Sequence, residues 1–122
     1  MHSIIASAKP LSPAEQEAVF GDFYVRTNRP VEAVRALREA MRLDPKLPGP
    51  CESLGLLALQ QGNDVSALNW LGQAVALGSK DYLVYYYHAS LLVEQQGRAA
   101  AAEAMRDINH ALDLNTNSAR GY

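Results

Sequence analysis

An all-α fold made by repeating one helical hairpin is what this sequence predicts, and three observations predict it. Apolar residues recur at three- and four-residue spacings on adjacent segments, the period of a helix with one buried stripe. Residues related by an offset of 34 match: Phe20 with Leu54, Gly21 with Gly55, Ala33 with Ala67, Leu37 with Leu71, Ala40 with Ala74 and Leu43 with Leu77. Turn signals at Asn28-Arg29-Pro30, Asp44-Pro45, Gln61-Gly62-Asn63 and Gly78 cut the chain into pieces of short-helix length.

Taken in order, residues 1–11 carry no helical period and read as a flexible arm. Ser12-Pro13-Ala14-Glu15 predicts a helix start: Ser12 as N-cap, Pro13 where no amide donor is needed, and Glu15 closing a capping box. That first helix is expected to run to about Thr27, with Val19, Phe20, Phe23 and Tyr24 as its apolar face. A second helix over Val31–Leu43 is stopped by Asp44-Pro45, because proline cannot continue the hydrogen-bond ladder. Pro48-Gly49-Pro50 opens a third, Gln61-Gly62-Asn63 turns it into a fourth, and Gly78 stands just past the fourth's end. The fifth is expected from Asp81 to about Gln96. The sixth is expected from about Arg98 to Leu114 through four consecutive alanines, the strongest helix former.

In the third copy His88-Ala89 keep the offset of 34, whereas Ala104, Ile108, Ala111 and Leu114 fall 37 after their equivalents, which places a three-residue insertion near Gly97. The step from Leu43 to Cys51 and from Leu77 to Tyr85 recurs from Leu114 to Tyr122, so 117–122 reads as the opening of a fourth copy.

Composition bounds the function. A chain of 122 residues, 48% hydrophobic and 20% charged, can bury one core, and one domain over 12–122 is expected. Eleven basic against thirteen acidic residues give a formal charge of -2, so no global field draws the chain to nucleic acid or to an anionic membrane. Cys51 is the sole cysteine, which excludes an internal disulfide. No run approaches a signal-peptide core or a membrane span, so no membrane insertion is expected, and a cytoplasmic location is favoured for the sequence as it stands.

With Phe20-Gly21, Tyr24, Ala33, Leu37, Ala40 and Asp44-Pro45 in the first copy, and Leu54-Gly55, Ala58, Ala67, Leu71 and Ala74 in the second, the chain resembles the tetratricopeptide-repeat family. Ser79 stands where that motif closes on proline. The resemblance covers residues 13–122. It implies a right-handed α-α superhelix (solenoid) of three helical hairpins, at about 14–47, 48–80 and 81–116, plus the start of a fourth.

It further implies a protein-binding groove lined by the first helix of each repeat. Carried over position by position, the groove residues are Ala18, Val19, Asp22, Val25 and Arg26, then Glu52, Ser53, Leu56, Leu59 and Gln60, then Tyr86, Tyr87, Ser90, Val93 and Glu94. This lining is largely apolar, and only Arg26 is basic, so the subgroup that clamps a C-terminal carboxylate with lysines and asparagines is not indicated.

Other chemistry is weakly supported. His88 and His110 lack a second ligand at metal-site spacing, so packed, hydrogen-bonded histidines are expected, and Cys51, at the position equivalent to Tyr85, reads as a buried thiol. Arg35, Arg38 and Arg42 share a helix face interrupted by Glu39, the pattern of a solvated surface. No catalytic constellation, cofactor or metal is indicated. The expectation is a non-enzymatic scaffold that receives a peptide or protein segment, its open apolar flank after Leu114 leaving two alternatives, homo-oligomerisation through that C-terminal end or capture of the Met1–Leu11 arm. The alternative is an accessory repeat region of a larger enzyme or of a secretion or assembly component.

Overall fold

The computed structural model describes residues 10–120, and for 117–120 it describes the backbone alone. The expected flexible arm therefore lies almost wholly outside the described residues. Among the described residues the fold is all-α: α1 (Pro13–Arg26), α2 (Pro30–Leu43), α3 (Gly49–Gln60), α4 (Asp64–Ala76), α5 (Tyr82–Gln96), a 3-10 turn (Gly97–Ala100) and α6 (Ala101–Arg120). Contacts group the chain into two compact units, 1–47 and 48–122.

The first unit is the α1–α2 hairpin. Its capping box forms as the sequence predicts: Ser12 N–H donates to Glu15 Oε1 at 2.9 Å and Glu15 N–H to Ser12 Oγ at 3.1 Å, satisfying two donors that a helix start leaves open. The buried stripe differs from the expected one. Ala14, Gly21 and Val25 are buried, while Val19, Phe20 and Phe23 each remain more than half exposed. The reason is steric: α2 comes so close that a Cβ on Gly21 would overlap the side chain of Leu37, and such an approach places the small residues of α1, not its aromatics, in the seam. α2 contributes Ala33, Ala36, Leu37 and Ala40 to the same seam.

The second unit repeats this seam and extends it. A Cβ on Gly55 of α3 would lie 2.6 Å from Leu71 Cδ2 of α4, so the Gly21–Leu37 contact recurs 34 residues on. The turns recur too. Asn28 and Gly62 both have positive φ, 62° and 73°, and in each turn the next residue's amide closes back on the carbonyl five positions earlier: Arg29 to Tyr24 at 2.8 Å and Asn63 to Ala58 at 2.8 Å.

α4 packs in turn on α5, and α5 on α6. The insertion near Gly97 is absorbed locally: α5 ends 36 residues after α3 instead of 34, and the 3-10 turn precedes α6, with Gly97 at φ 60° and ψ -140°. The seam contact between Cys51 and Gln73, with Sγ 4.0 Å from Oε1, has its counterpart in Tyr85 stacked on His110 at a centroid distance of 4.2 Å. α6 departs from expectation at its end. It passes Leu114 without a break and continues as helix to Arg120, so the backbone of 117–120 prolongs α6 and does not open a fourth hairpin. No glycine or proline lies between Leu114 and Arg120 to stop it. Gly121 and Tyr122 lie outside the described residues.

Candidate interaction surface

In the first unit, Val19 and Arg26 are exposed and Asp22 is half-buried on α1. Arg26 Nε donates to Asp22 Oδ2 at 2.8 Å, an i,i+4 pair that offsets part of the only positive charge among the expected groove residues. Val25, read as a groove residue by position, is 2% exposed and belongs to the core.

In the second unit the expected residues divide. On α3, Leu56 is half-buried, Gln60 is exposed, and Ser53, expected in the groove, is buried. Glu52 is half-buried and accepts a hydrogen bond from Ser79 Oγ at 2.5 Å. On α5, Tyr86 and Tyr87 are 53% and 39% exposed, with ring centroids 6.1 Å apart in an edge arrangement. Ser90 is half-buried and spends its hydroxyl on Tyr86 O at 3.0 Å; Glu94 is exposed. Tyr85, by contrast, is buried, its hydroxyl donating to Ser79 O at 2.7 Å, as a 100° rotation per residue requires when neighbours turn outward.

Two polar arrangements were not anticipated. Ser79, nearly fully buried, ties three segments: its hydroxyl reaches Glu52 on α3, accepts from Asp81 N–H at 3.2 Å, and its carbonyl receives Tyr85 of α5. The sequence signal was present in Ser79 itself, which replaces the proline found 34 residues earlier at Pro45. The other is His88, whose Nδ1 donates to Asp107 Oδ2 at 2.6 Å with both side chains buried. His88 stands where Phe20 and Leu54 stand in the earlier copies, and Asp107 where Ala36 and Trp70 stand. A paired apolar-to-polar exchange of this kind is visible on self-comparison. The buried, hydrogen-bonded histidine matches the expectation for His88, while His110 is exposed.

Cys51 is buried, and burial, reinforced by the charge of Glu52, pushes its thiol above the usual range, away from the thiolate a nucleophile needs. Burial likewise raises the Tyr85 hydroxyl, with smaller contributions from Asp107 and Glu52. Among the described residues no group of three or more His, Cys, Asp and Glu side chains could hold a metal ion, and no helix is long and apolar enough to cross a membrane. Arg42 is paired with Glu39, and Arg29 lies 3.9 Å from Glu32, so the α2 arginine face is a mixed-charge surface. Comparison with protein-family models and with curated proteins found no match.

Proposed function

We propose that the chain is a tetratricopeptide-type interaction module: three hairpins in a right-handed superhelix, with no catalytic role, receiving an apolar or aromatic-containing protein segment on the first helices of its repeats. The observation that carries this reading is on α5. One side of that helix is committed to the core through Tyr85, His88, Ala89 and Leu92, yet the other presents Tyr86, Tyr87 and Val93 to solvent. Exposed tyrosines offer large contact area and a hydroxyl at low entropic cost, which suits them to anchor a partner. The same pattern of exposure recurs at equivalent positions of each first helix: Asp22, Leu56 and Ser90 are all half-buried, and Arg26, Gln60 and Glu94 are all exposed.

The test is selection of binding peptides from a random display library on the immobilised chain, followed by titration against wild type and the Tyr86→Ala/Tyr87→Ala variant. Selected peptides are expected to be rich in apolar and aromatic residues and to bind the variant at least about tenfold more weakly, on the order of 1.4 kcal/mol. Unchanged affinity would remove the tyrosines from the site and with them this reading.

A further inference from the structure

Each copy of the hairpin has a flank that, in the third copy, is closed by the copy before it. There Tyr85, His88 and Leu92 are 4%, 5% and 4% exposed, α5 lies against α4, and a Cβ built on Gly72 would sit 3.4 Å from His88 Nε2. Gly72 belongs to a stripe of α4 with Leu68 and Val75, one and two turns along the same face.

Sixty-eight residues before Tyr85, His88 and Leu92 stand Glu17, Phe20 and Tyr24 of α1. That flank is open. Phe20 is 53% exposed, and an open cleft of about 250 Å³ is lined by Glu17, Phe20 and Tyr24 with Glu32, Arg35 and Ala36. Ala36 is the equivalent of Asp107, so the cleft occupies the place that His88 and Asp107 fill in the third copy.

The stripe that would close such a cleft is exposed as well. Thirty-seven residues after Leu68, Gly72 and Val75 come Met105, Asn109 and Leu112 on α6, and Met105 and Leu112 are 57% and 58% exposed. They lie two turns apart, about 10 Å along the helix, a spacing that spans the neighbourhood of Phe20 and Tyr24.

We infer that the Met105–Leu112 face of α6 in one molecule closes the Phe20–Tyr24 cleft of a second copy of this chain, head to tail. The internal α4–α5 junction is the template: the same register of faces, built from equivalent residues, with the second molecule in place of the preceding repeat. Asn109 replaces the glycine at the closest point, which holds the two helices further apart than in the template and leaves Met105 and Leu112 to reach into the cleft. The junction is therefore smaller and weaker than a permanent interface. Being heterologous, it is not limited by symmetry to two copies. This inference rests on the repeat equivalences, not on the tyrosine surface, so either can fail without the other.

Sedimentation velocity on the 122-residue chain across a wide concentration range, with Phe20→Arg and Leu112→Arg, tests it. Both side chains are exposed, so both variants are expected to fold, which circular dichroism checks. Wild type is expected to show an average mass that rises with concentration past the dimer. Each variant alone should associate at least tenfold more weakly, and an equimolar mixture of the two should recover a one-to-one dimer, because each still carries the face the other lacks. A concentration-independent monomer for wild type overturns the inference. So does a dimer sensitive to only one of the substitutions, which would mark a symmetric contact, or a mixture that associates no better than its components.

Discussion

The α1–α2 and α3–α4 hairpins share a backbone but not its punctuation. Each holds a glycine against a leucine sixteen residues on, and each turns through one residue of positive φ. The second hairpin places Gly62 there and follows it with Asn63, whose side chain accepts from Ser66 N–H at 3.2 Å and caps α4. The first uses Asn28 and then Arg29, which makes no side-chain cap for α2. What recurs is the steric requirement of the seam; what varies is how well each turn suits its backbone. The seam defines the repeat, and the turn only tunes it.

The largest effects are expected where that seam is overfilled. Gly21→Val or Gly55→Val drives a branched side chain into the space of Leu37 or Leu71, both buried, and is expected to cost about 2–3 kcal/mol or more in denaturant melts. Gly72→Ala is the internal control. Its Cβ meets nothing closer than His88 Nε2 at 3.4 Å, so the gain in helix propensity, about 1 kcal/mol, is expected to dominate. If Gly55→Val were as mild as Gly72→Ala, the close approach would not be what defines the repeat.

A middle-sized effect belongs to the third hairpin, where the seam keeps Ala89 but the neighbouring position has become polar. Asp107→Leu leaves His88 buried without its acceptor and is expected to lose about 2 kcal/mol. Adding His88→Leu removes the orphaned group and restores the apolar character that Leu54 has in the second hairpin, so the double variant is expected to recover at least half of the loss. Additive losses in that cycle would mean that the pair contributes nothing as a pair.

These comparisons show which features were legible in the sequence. The helices, the capping box and the stops at Asp44-Pro45 and Gly78 were readable because each depends on a few adjacent residues with local physical causes. The exposure of Phe20 and Phe23 was not, because helical spacing gives the stripe while the size of the facing residue decides which edge of it is buried. The run of α6 past Leu114 was hidden by a short spacing coincidence that outweighed the lack of any breaker. His88–Asp107 joins residues nineteen apart, and only reading the two exchanges together makes the pair visible.

The smallest effect, and the one that isolates punctuation from packing, comes from giving the first turn the residues of the second. Asn28 sits at φ 62°, a region that asparagine tolerates better than most residues but that glycine adopts without a Cβ penalty. Asn28→Gly leaves the Arg29-to-Tyr24 closing bond in place and is expected to stabilise the hairpin by about 0.5 kcal/mol, the relief of strain being partly offset by the greater freedom of glycine in the unfolded chain. Arg29→Asn then supplies α2 with the cap that Asn63 gives α4, for about 0.5–1 kcal/mol more. The two sum to roughly 1–1.5 kcal/mol if each acts only on its own helix end, and a departure from that sum measures the coupling between these adjacent residues. Thermal melts of the single and double variants measure the sum. A double variant no more stable than wild type would show that the α1–α2 turn is held by its surroundings and not by the residues in it.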